Sequence, residues 1–545
     1  MEQTRLILLI AFSFISLMLW EAWQRDYAPP AAVPLTTPAS PSTERPDSTP
    51  NIVQNSATRI APNELSSSES NHTNSSFVTV ETDVLKLRIN LTGGVIERAG
   101  LVRFPLNEEA ASSTFNLLDN STERFFVYQG GLKAVTGESA DHYANFTSEK
   151  ESFKLGNNDN TLKVALHWKS PAGVNVSKVY LLERGSYKVK VVFSIDNQSS
   201  LGWSFNHYDQ LQRTQQERRQ YFIQTFTGAA ISSPAKRYAK YSYKDLTKEP
   251  VGENIVDGWA AILEHYFVAA IIPPPQETYH YYSTIIGESN YAVGFYGPAK
   301  TLEAGAQTSV ESSIFIGPKL QNLLAKVAPG LELTVDYGIL WFIGKILFWT
   351  LAKMHALTGN WGWAIILLTC IVKILFFPLS AAGYRSMAKM RVVQPRLLAI
   401  RERYQSDRTA LNQAMMDLYK KEKINPLGGC LPIVVQIPIF MALYWVILES
   451  VELRQAPWIF WIQDLSIKDP WFVLPILMTI SMWLQSKLNP APVDPIQAKV
   501  MQIMPFAFGV FFAFFPAGLV LYWFVNNCLS IAQQWSITRA AERAA

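Results

Sequence analysis

Residues 361–379 read WGWAIILLTCIVKILFFPL. Nineteen residues of helix would measure about 28 Å, close to the ~30 Å hydrocarbon core of a bilayer. The run is uncharged except for Lys373. A charge at the centre of a spanning helix costs about 2.5–3.5 kcal/mol on insertion scales. Two readings offset that cost. Lys373 lies five residues before Pro378, about 7–8 Å along a helix, so its four-carbon stem can snorkel to the nearer interface. Alternatively it faces a wet cavity, a partner or a substrate. On this helix alone the two stand level, and the rest of the chain has to separate them.

The chain has 545 residues, 49% of them hydrophobic, with a net charge of +4 and a mean hydropathy of +0.07. The average conceals a polar first half and a very apolar last third. The charge is too small and too scattered for nucleic-acid recognition. Cys370, Cys430 and Cys528 lie in or beside apolar runs without CxxC spacing, which points to neither a disulfide framework nor a metal site.

Residues 6–20 form a short apolar run behind Arg5, followed by Trp20, Trp23 and Tyr27 with no small-x-small cleavage site close by. A signal anchor over 1–27, with its N-terminus inside, is expected rather than a cleaved peptide. Residues 28–76 are rich in Pro, Ser, Thr and Ala and lack periodicity, the composition of a disordered linker. Residues 77–331 alternate apolar and polar side chains, as in Leu85-Lys86-Leu87-Arg88-Ile89 and Val189-Lys190-Val191. Turn signals such as Gly93-Gly94 and Asp196-Asn197 separate the runs. This predicts an antiparallel β-sandwich. No nucleophile–base pair, phosphate loop or metal cluster is visible in it, and its histidines are scattered. It reads as a scaffold or binding surface.

Residues 380–429 hold ten Lys/Arg against four Asp/Glu, a net of +6, which the positive-inside rule makes cytoplasmic. With the N-terminus inside and the sandwich outside, only one span fits between the sandwich and residue 380. Residues 361–379 take that role, and residues 332–358, with Lys345 and Lys353 on one helical face, become an amphipathic interfacial helix. Further spans follow over 431–448, 470–486, 500–515 and 519–534, so a membrane core over 359–545 adds five spans to the anchor and leaves both termini cytoplasmic. Within the basic segment Met387, Met390, Val393, Leu397, Ile400 and Tyr404, then Leu411, Met415 and Leu418, recur at helical spacing. They predict a helical hairpin turning near Ser406-Asp407, whose methionines also suit contact with varied apolar segments.

The spans carry polar residues but no carboxylate. Thr369 shares a face with Lys373 one turn away. Gln436 lies between Pro432 and Pro438, and Gln485, Asn526 and Asn527 lie toward span ends. Singly, each reads as interhelical glue. Together they suggest a hydrated, positive concave surface that is not a proton relay, since such a relay ordinarily uses an intramembrane Asp or Glu.

Several stretches of the last third then become recognisable. Asn425-Pro426-Leu427-Gly428-Gly429-Cys430-Leu431-Pro432 leads into Gln436-Ile437-Pro438-Ile439-Phe440, and Val451-Glu452-Leu453-Arg454-Gln455-Ala456-Pro457 follows. With Met387-Ala388-Lys389-Met390 and Phe515-Pro516-Ala517-Gly518-Leu519-Val520-Leu521-Tyr522-Trp523, they resemble the YidC/Oxa-type membrane protein insertases. Gly258-Trp259 and Glu264-His265-Tyr266-Phe267 look like the periplasmic domain of the Gram-negative members. The similarity runs along essentially the whole chain. It implies insertion and folding of newly made proteins in the bacterial inner membrane, alone or beside the Sec translocon, without covalent chemistry, catalytic residue, metal or cofactor.

By the same resemblance, Lys373 occupies the position of a positively charged groove residue, usually arginine in Gram-negative members. Thr369 matches another groove position, and Gln436 and Tyr522 join the same surface. Trp523 stands where a tyrosine is usual, keeping the aromatic bulk but not the hydroxyl. Ile437 and Phe440 fall where the third span meets passing substrate. Implied partners are nascent membrane proteins, the Sec translocon, membrane lipids, and the ribosome through the cytoplasmic loops. With only Arg539 and Arg543 as bases after Trp535, a strong tail-mediated ribosome contact is not expected. Two other classes compete: an anion channel or transporter, disfavoured because no repeat or broken-helix pair is visible and five core spans are few for a closed pore; and an assembly factor whose working part is the sandwich.

Overall fold

The computed structural model describes residues 77–106, 114–215, 225–287, 289–404, 407–422, 431–489 and 495–544. The expected anchor and linker, and residues 425–430 of the recognisable motif, lie outside the described residues.

Where apolar and charged residues alternate, the chain forms strands. Lys188–Asn197 buries Val189, Val191, Phe193 and Ile195 and turns Lys190 and Ser194 to solvent. It pairs antiparallel with Val174–Glu183 on one side and Gln307–Pro318 on the other, near the middle of a nine-stranded sheet. The chain then crosses to the second, eleven-stranded sheet, where Trp203–Thr214 lies between Phe126–Ala134 and Asn290–Tyr296. Pairing is antiparallel except for one short parallel contact of Phe77–Glu81 with Ser152–Lys154. Side chains of the two sheets interdigitate: Phe193 meets His207 edge-on with ring centroids 5.5 Å apart, and the Tyr180 hydroxyl donates to the Gly94 carbonyl. The antiparallel sandwich expected from the alternation is present.

Trp203–Thr214 breaks the alternation rule. Asn206, His207, Asp209, Gln210, Gln212 and Arg213 are all buried. They are tolerated because most find partners across the sheet: Asp209 accepts from the Tyr128 hydroxyl at 2.6 Å, Gln210 receives Tyr282 at 2.5 Å and donates to Gln129 at 2.7 Å. Lys178 is buried beside them, its ammonium donating to the carbonyls of Gly93, Gly94 and Gly130 at 2.8–3.1 Å. Burial pushes its pKa down to about 7, the Asp209 carboxylate opposing part of that shift. An unfolded lysine titrates near 10.4, so above pH 7 the unfolded chain holds the extra proton. Stability is therefore expected to rise with pH between about 7 and 10, by up to about 1.4 kcal/mol per pH unit. Denaturant titrations across that range should show the slope, and Lys178→Met should flatten it.

The region after the sandwich is helical. Among the described residues we number α1 (Trp341–Thr358), α2 (Trp361–Leu375), α3 (Phe377–Arg403), α4 (Arg408–Lys421), α5 (Leu431–Glu449), α6 (Val473–Leu488), α7 (Pro495–Phe512) and α8 (Ala517–Ala544). Several boundaries differ from the sequence expectations. The 361–379 run is not one helix: it breaks at Phe376, and α2 and α3 meet at 67°. Pro378, in the first turn of α3, lacks an N–H and its ring would strike the carbonyl of residue 374 if the helix continued. The run expected over 500–515 instead starts at Pro495 and stops at Phe512, proline being well suited to a helix's first turn. The run expected over 519–534 continues to Ala544, its alanine-rich end being a good helix former. The face of α1 left exposed is largely apolar, with Phe342, Ile346 and Trp349 beside Lys345 and Lys353, so it is less two-sided than expected. Gly338–Thr358 is the one straight stretch among the described residues long and apolar enough to cross a membrane. Val434–Glu449, Val473–Leu488 and Ala498–Phe512 are shorter apolar helices.

Sandwich and helices meet through two of the recognisable motifs. Glu264 and Phe267 close a turn by mutual backbone hydrogen bonds, with Tyr266 in the left-handed region at φ 70°. This aims His265 at the end of α5, its Nε2 2.8 Å from the Leu448 carbonyl. From the other side Arg454 donates to the Pro105 carbonyl at 2.8 Å and lies over the rings of Phe267 and Phe115 at 5.8 and 6.0 Å. Lys319 faces Glu449 at 3.6 Å with both side chains buried. Arg454→Ala removes the bond and both ring contacts and should weaken the docking by about 1–3 kcal/mol. The readout is faster protease cleavage at the 329–340 junction, with the sandwich itself still resistant.

Candidate functional site

Lys373 sits in the last turn of α2, and its ammonium donates to Ser530 Oγ of α8 at 2.6 Å. Ser530 in turn donates to the Asn526 carbonyl one helical turn back at 2.7 Å, and the Tyr384 hydroxyl of α3 reaches the same serine. Gln436 of α5 and Asn526 of α8 join Lys373 and Ser380 around a cavity of about 20 Å³, room for about one water molecule. Its other walls are apolar, Val372, Val435 and Ile439 among them. A cation, two amides and hydroxyls thus converge from four helices in otherwise apolar surroundings.

The remaining expected residues are placed differently. Thr369 is buried and donates to its own Ile365 carbonyl at 2.7 Å, the usual resting place of a helical threonine, so it does not line the cavity. Trp523 packs edge-on against Phe440 at 4.6 Å, and Phe512 completes the cluster at 5.2 and 5.8 Å from the two. This aromatic wedge lies beside the cavity rather than in it. Tyr522 is buried with Gln436 close by, and Ile437 points outward, half exposed. Four side-chain polar atoms of α8, Tyr522 Oη, Trp523 Nε1, Gln533 Oε1 and Gln534 Oε1, are buried without a hydrogen-bond partner among the described residues.

Ser530 and Gln533 are the residues that sequence reasoning missed. Gln533 donates to the Phe377 carbonyl at 3.3 Å, just past the α2–α3 break. A signal was present: Asn526, Ser530 and Gln533 recur at four and three residues and so form a polar stripe on one face of α8.

The sequence matches the family "60Kd inner membrane protein" over residues 353–544 and "YidC periplasmic domain" over residues 77–350. It is 45% identical over 546 residues to the membrane protein insertase YidC of Nitrosococcus oceani, with 100% of both chains covered. The chain belongs to the YidC family. The YidC of Pseudomonas entomophila is 46% identical over 562 residues, with 100% of this chain and 99% of that one covered. A solved structure titled as an active YidC insertase with its first transmembrane domain resolved aligns at 19% identity and a TM-score of 0.38, covering 84% of this chain and 92% of that one. The YidC periplasmic match takes in the sandwich and the first part of α1, and the inner-membrane match takes in the end of α1 and α2 to α8.

Proposed function

We propose that this chain is a membrane protein insertase that integrates and helps fold newly made proteins in the bacterial inner membrane, alone or with the Sec translocon, by lending hydration and positive charge to a polar segment part-way into the bilayer. The observation that carries the reading is the convergence of Lys373, Ser380, Gln436 and Asn526 on a small cavity between apolar helices, with Ser530 bonded to the Lys373 ammonium. The orphaned polar atoms along α8 add unmet hydrogen-bonding capacity that a polar guest can use. A transient polar environment lowers the desolvation penalty of the guest. The guest's own apolar helix then passes along α5 and the Phe440–Phe512–Trp523 wedge into lipid, with its burial supplying the free energy. No covalent step is involved and no cofactor is required.

In this reading the sandwich is periplasmic, the α3–α4 hairpin is cytoplasmic and available to the ribosome, and α2, α5, α6, α7 and α8 span. With the N-terminal anchor this makes six spans and leaves both termini inside. α1 lies in the interface: Gly359, at φ 67°, turns the chain tightly between α1 and α2, and His355 stacks on Trp361 with centroids 4.0 Å apart. Were α1 to cross as well, α2 would return and place the +6 hairpin outside, against the charge rule. At 15 residues, α2 measures about 22 Å, short of the ~30 Å core, so the bilayer thins around the cavity.

The test is insertion of a radiolabelled single-span protein with a short acidic N-terminus into liposomes holding the purified chain, followed by protease protection. Protection above that in empty liposomes supports the insertase. Anion flux without protection would instead point to a channel.

A further inference from the structure

From its charges, the segment joining α5 to α6 reads as a hydrophilic external loop, but its structure has the opposite character. Asp469 is fully buried, accepting from Trp461 Nε1 and the Trp471 N–H, both at 3.0 Å, and from the Leu474 N–H at 2.7 Å. Asp464 is turned in to cap Ser466, taking its N–H and hydroxyl at 2.7 Å. What faces outward is apolar: Phe460 is 81% exposed, Trp471 68% and Ile467 54%. Trp461 lies between the two outer rings, stacked on Phe460 at 6.1 Å and on Trp471 at 5.9 Å. The three rings and Gln463 wall an open hollow of about 680 Å³. The exposed cation of this face, Lys468, holds its ammonium 5.8 Å above the Phe472 ring.

The platform is held firmly from behind. Asn360, which caps α2, also donates to the Pro457 carbonyl at 2.9 Å. Trp458 meets Trp363 edge-on at 5.9 Å and occupies the space over Gly362 that a Cβ would need. The aromatic face continues without a break onto α6, whose Ile476, Leu477 and Ile480 are exposed. Because Arg454, in the same loop, bonds the sandwich, the platform lies on the sandwich's side of the membrane.

We propose that this loop is a docking surface for the phospholipid interface, seating Phe460 and Trp471 in the headgroup–acyl boundary with Lys468 at the lipid phosphates. Three features argue for lipid over a protein occupant. Amphipathic rings are the side chains that favour this depth. The carboxylates, which anionic headgroups would repel, are withdrawn while the cation is left out. The surface is also continuous with the apolar flank of a membrane helix. Its effect is to fix the depth and tilt of the external end of α2 through Trp458 and Asn360.

The experiment uses the full chain with Cys370, Cys430 and Cys528 changed to serine and one new cysteine, at Phe460→Cys or Trp471→Cys, carrying an environment-sensitive fluorophore. Leu201→Cys, on the exposed sandwich surface, is the aqueous reference. The proteins are reconstituted into phosphatidylethanolamine–phosphatidylglycerol vesicles. Expected are several-fold weaker quenching by aqueous iodide at 460 and 471 than at 201, and stronger quenching by a shallow nitroxide lipid than by a deep one. Iodide quenching equal to that at 201 would overturn the proposal. So would protection from iodide without quenching by nitroxide lipid, which would mean that a second copy or another protein covers the face. If a labelled variant fails to match the cysteine-free parent in resistance to protease, Ile467→Cys reports on the same face.

Discussion

Lys373→Leu is expected to reduce insertion of a substrate with an acidic leading segment about tenfold, while Lys373→Arg retains most of it. One carboxylate at mid-bilayer costs about 2.5–3.5 kcal/mol, and an ammonium that offsets about half of this changes the rate by about one order of magnitude. Arginine keeps the charge, and the cavity asks for charge and hydration rather than the single-point geometry at Ser530. A substrate whose leading segment is neutral should be nearly indifferent to both changes. Ser530→Ala, which frees the ammonium from its one hydrogen bond among the described residues, should leave acidic substrates inserting at least as well as wild type. Protease protection in liposomes reads all three. Equal insertion of the acidic substrate by wild type and Lys373→Leu would reduce Lys373 to a residue that merely snorkels.

Glu264→Ala should destabilise the sandwich by about 3–5 kcal/mol, the cost of stripping the partner from a buried charge. Arg213 is buried and reaches Glu264 at 2.6 Å, and Arg124, just ahead of the neighbouring strand, reaches it at 2.9 Å. Without the carboxylate, Arg213 loses its ion pair; it keeps the face of Phe126, 5.1 Å away, and cannot easily escape to water. Against a typical domain stability of about 5–15 kcal/mol, this is a large fraction. Urea titration of the purified chain in detergent, followed by tryptophan emission, should show the loss. A change below about 1 kcal/mol would mean that water reaches the arginines. The turn that carries His265 is closed by the Glu264 backbone, which the substitution keeps, so docking onto α5 should weaken only as far as the sandwich itself loosens.

Lys373 is legible in the sequence because a single charge interrupts an apolar run, and such a contrast needs no partner to be seen. Ser530 is illegible on the same terms. A serine is unremarkable in a long, mostly apolar helix, and its role appears only when α8 is laid against α2. The sandwich shows the same division. Leu85, Leu87 and Ile89 announce a strand with one buried face, whereas Trp203–Thr214, rich in Asn, His, Asp, Gln and Arg, reads as a surface segment and is buried. The partners that make its burial tolerable, Tyr128, Gln129 and Tyr282 on other strands and Glu264 in a turn, come from far away in sequence. The break at Phe376 is signalled locally by Pro378, whereas the length and hydropathy of the run favour one continuous helix.

The bend between α2 and α3 also has a mechanical side. α3 has 27 residues and is therefore about 40 Å long, pivoted at Phe376 only three residues beyond Lys373. A rotation of about ten degrees there would sweep Arg403 through about 7 Å, by lever geometry on a rigid helix. The α3–α4 hairpin is in effect a long pointer whose bearing adjoins the charged cavity, so that small adjustments of packing around a guest would be amplified at its far end.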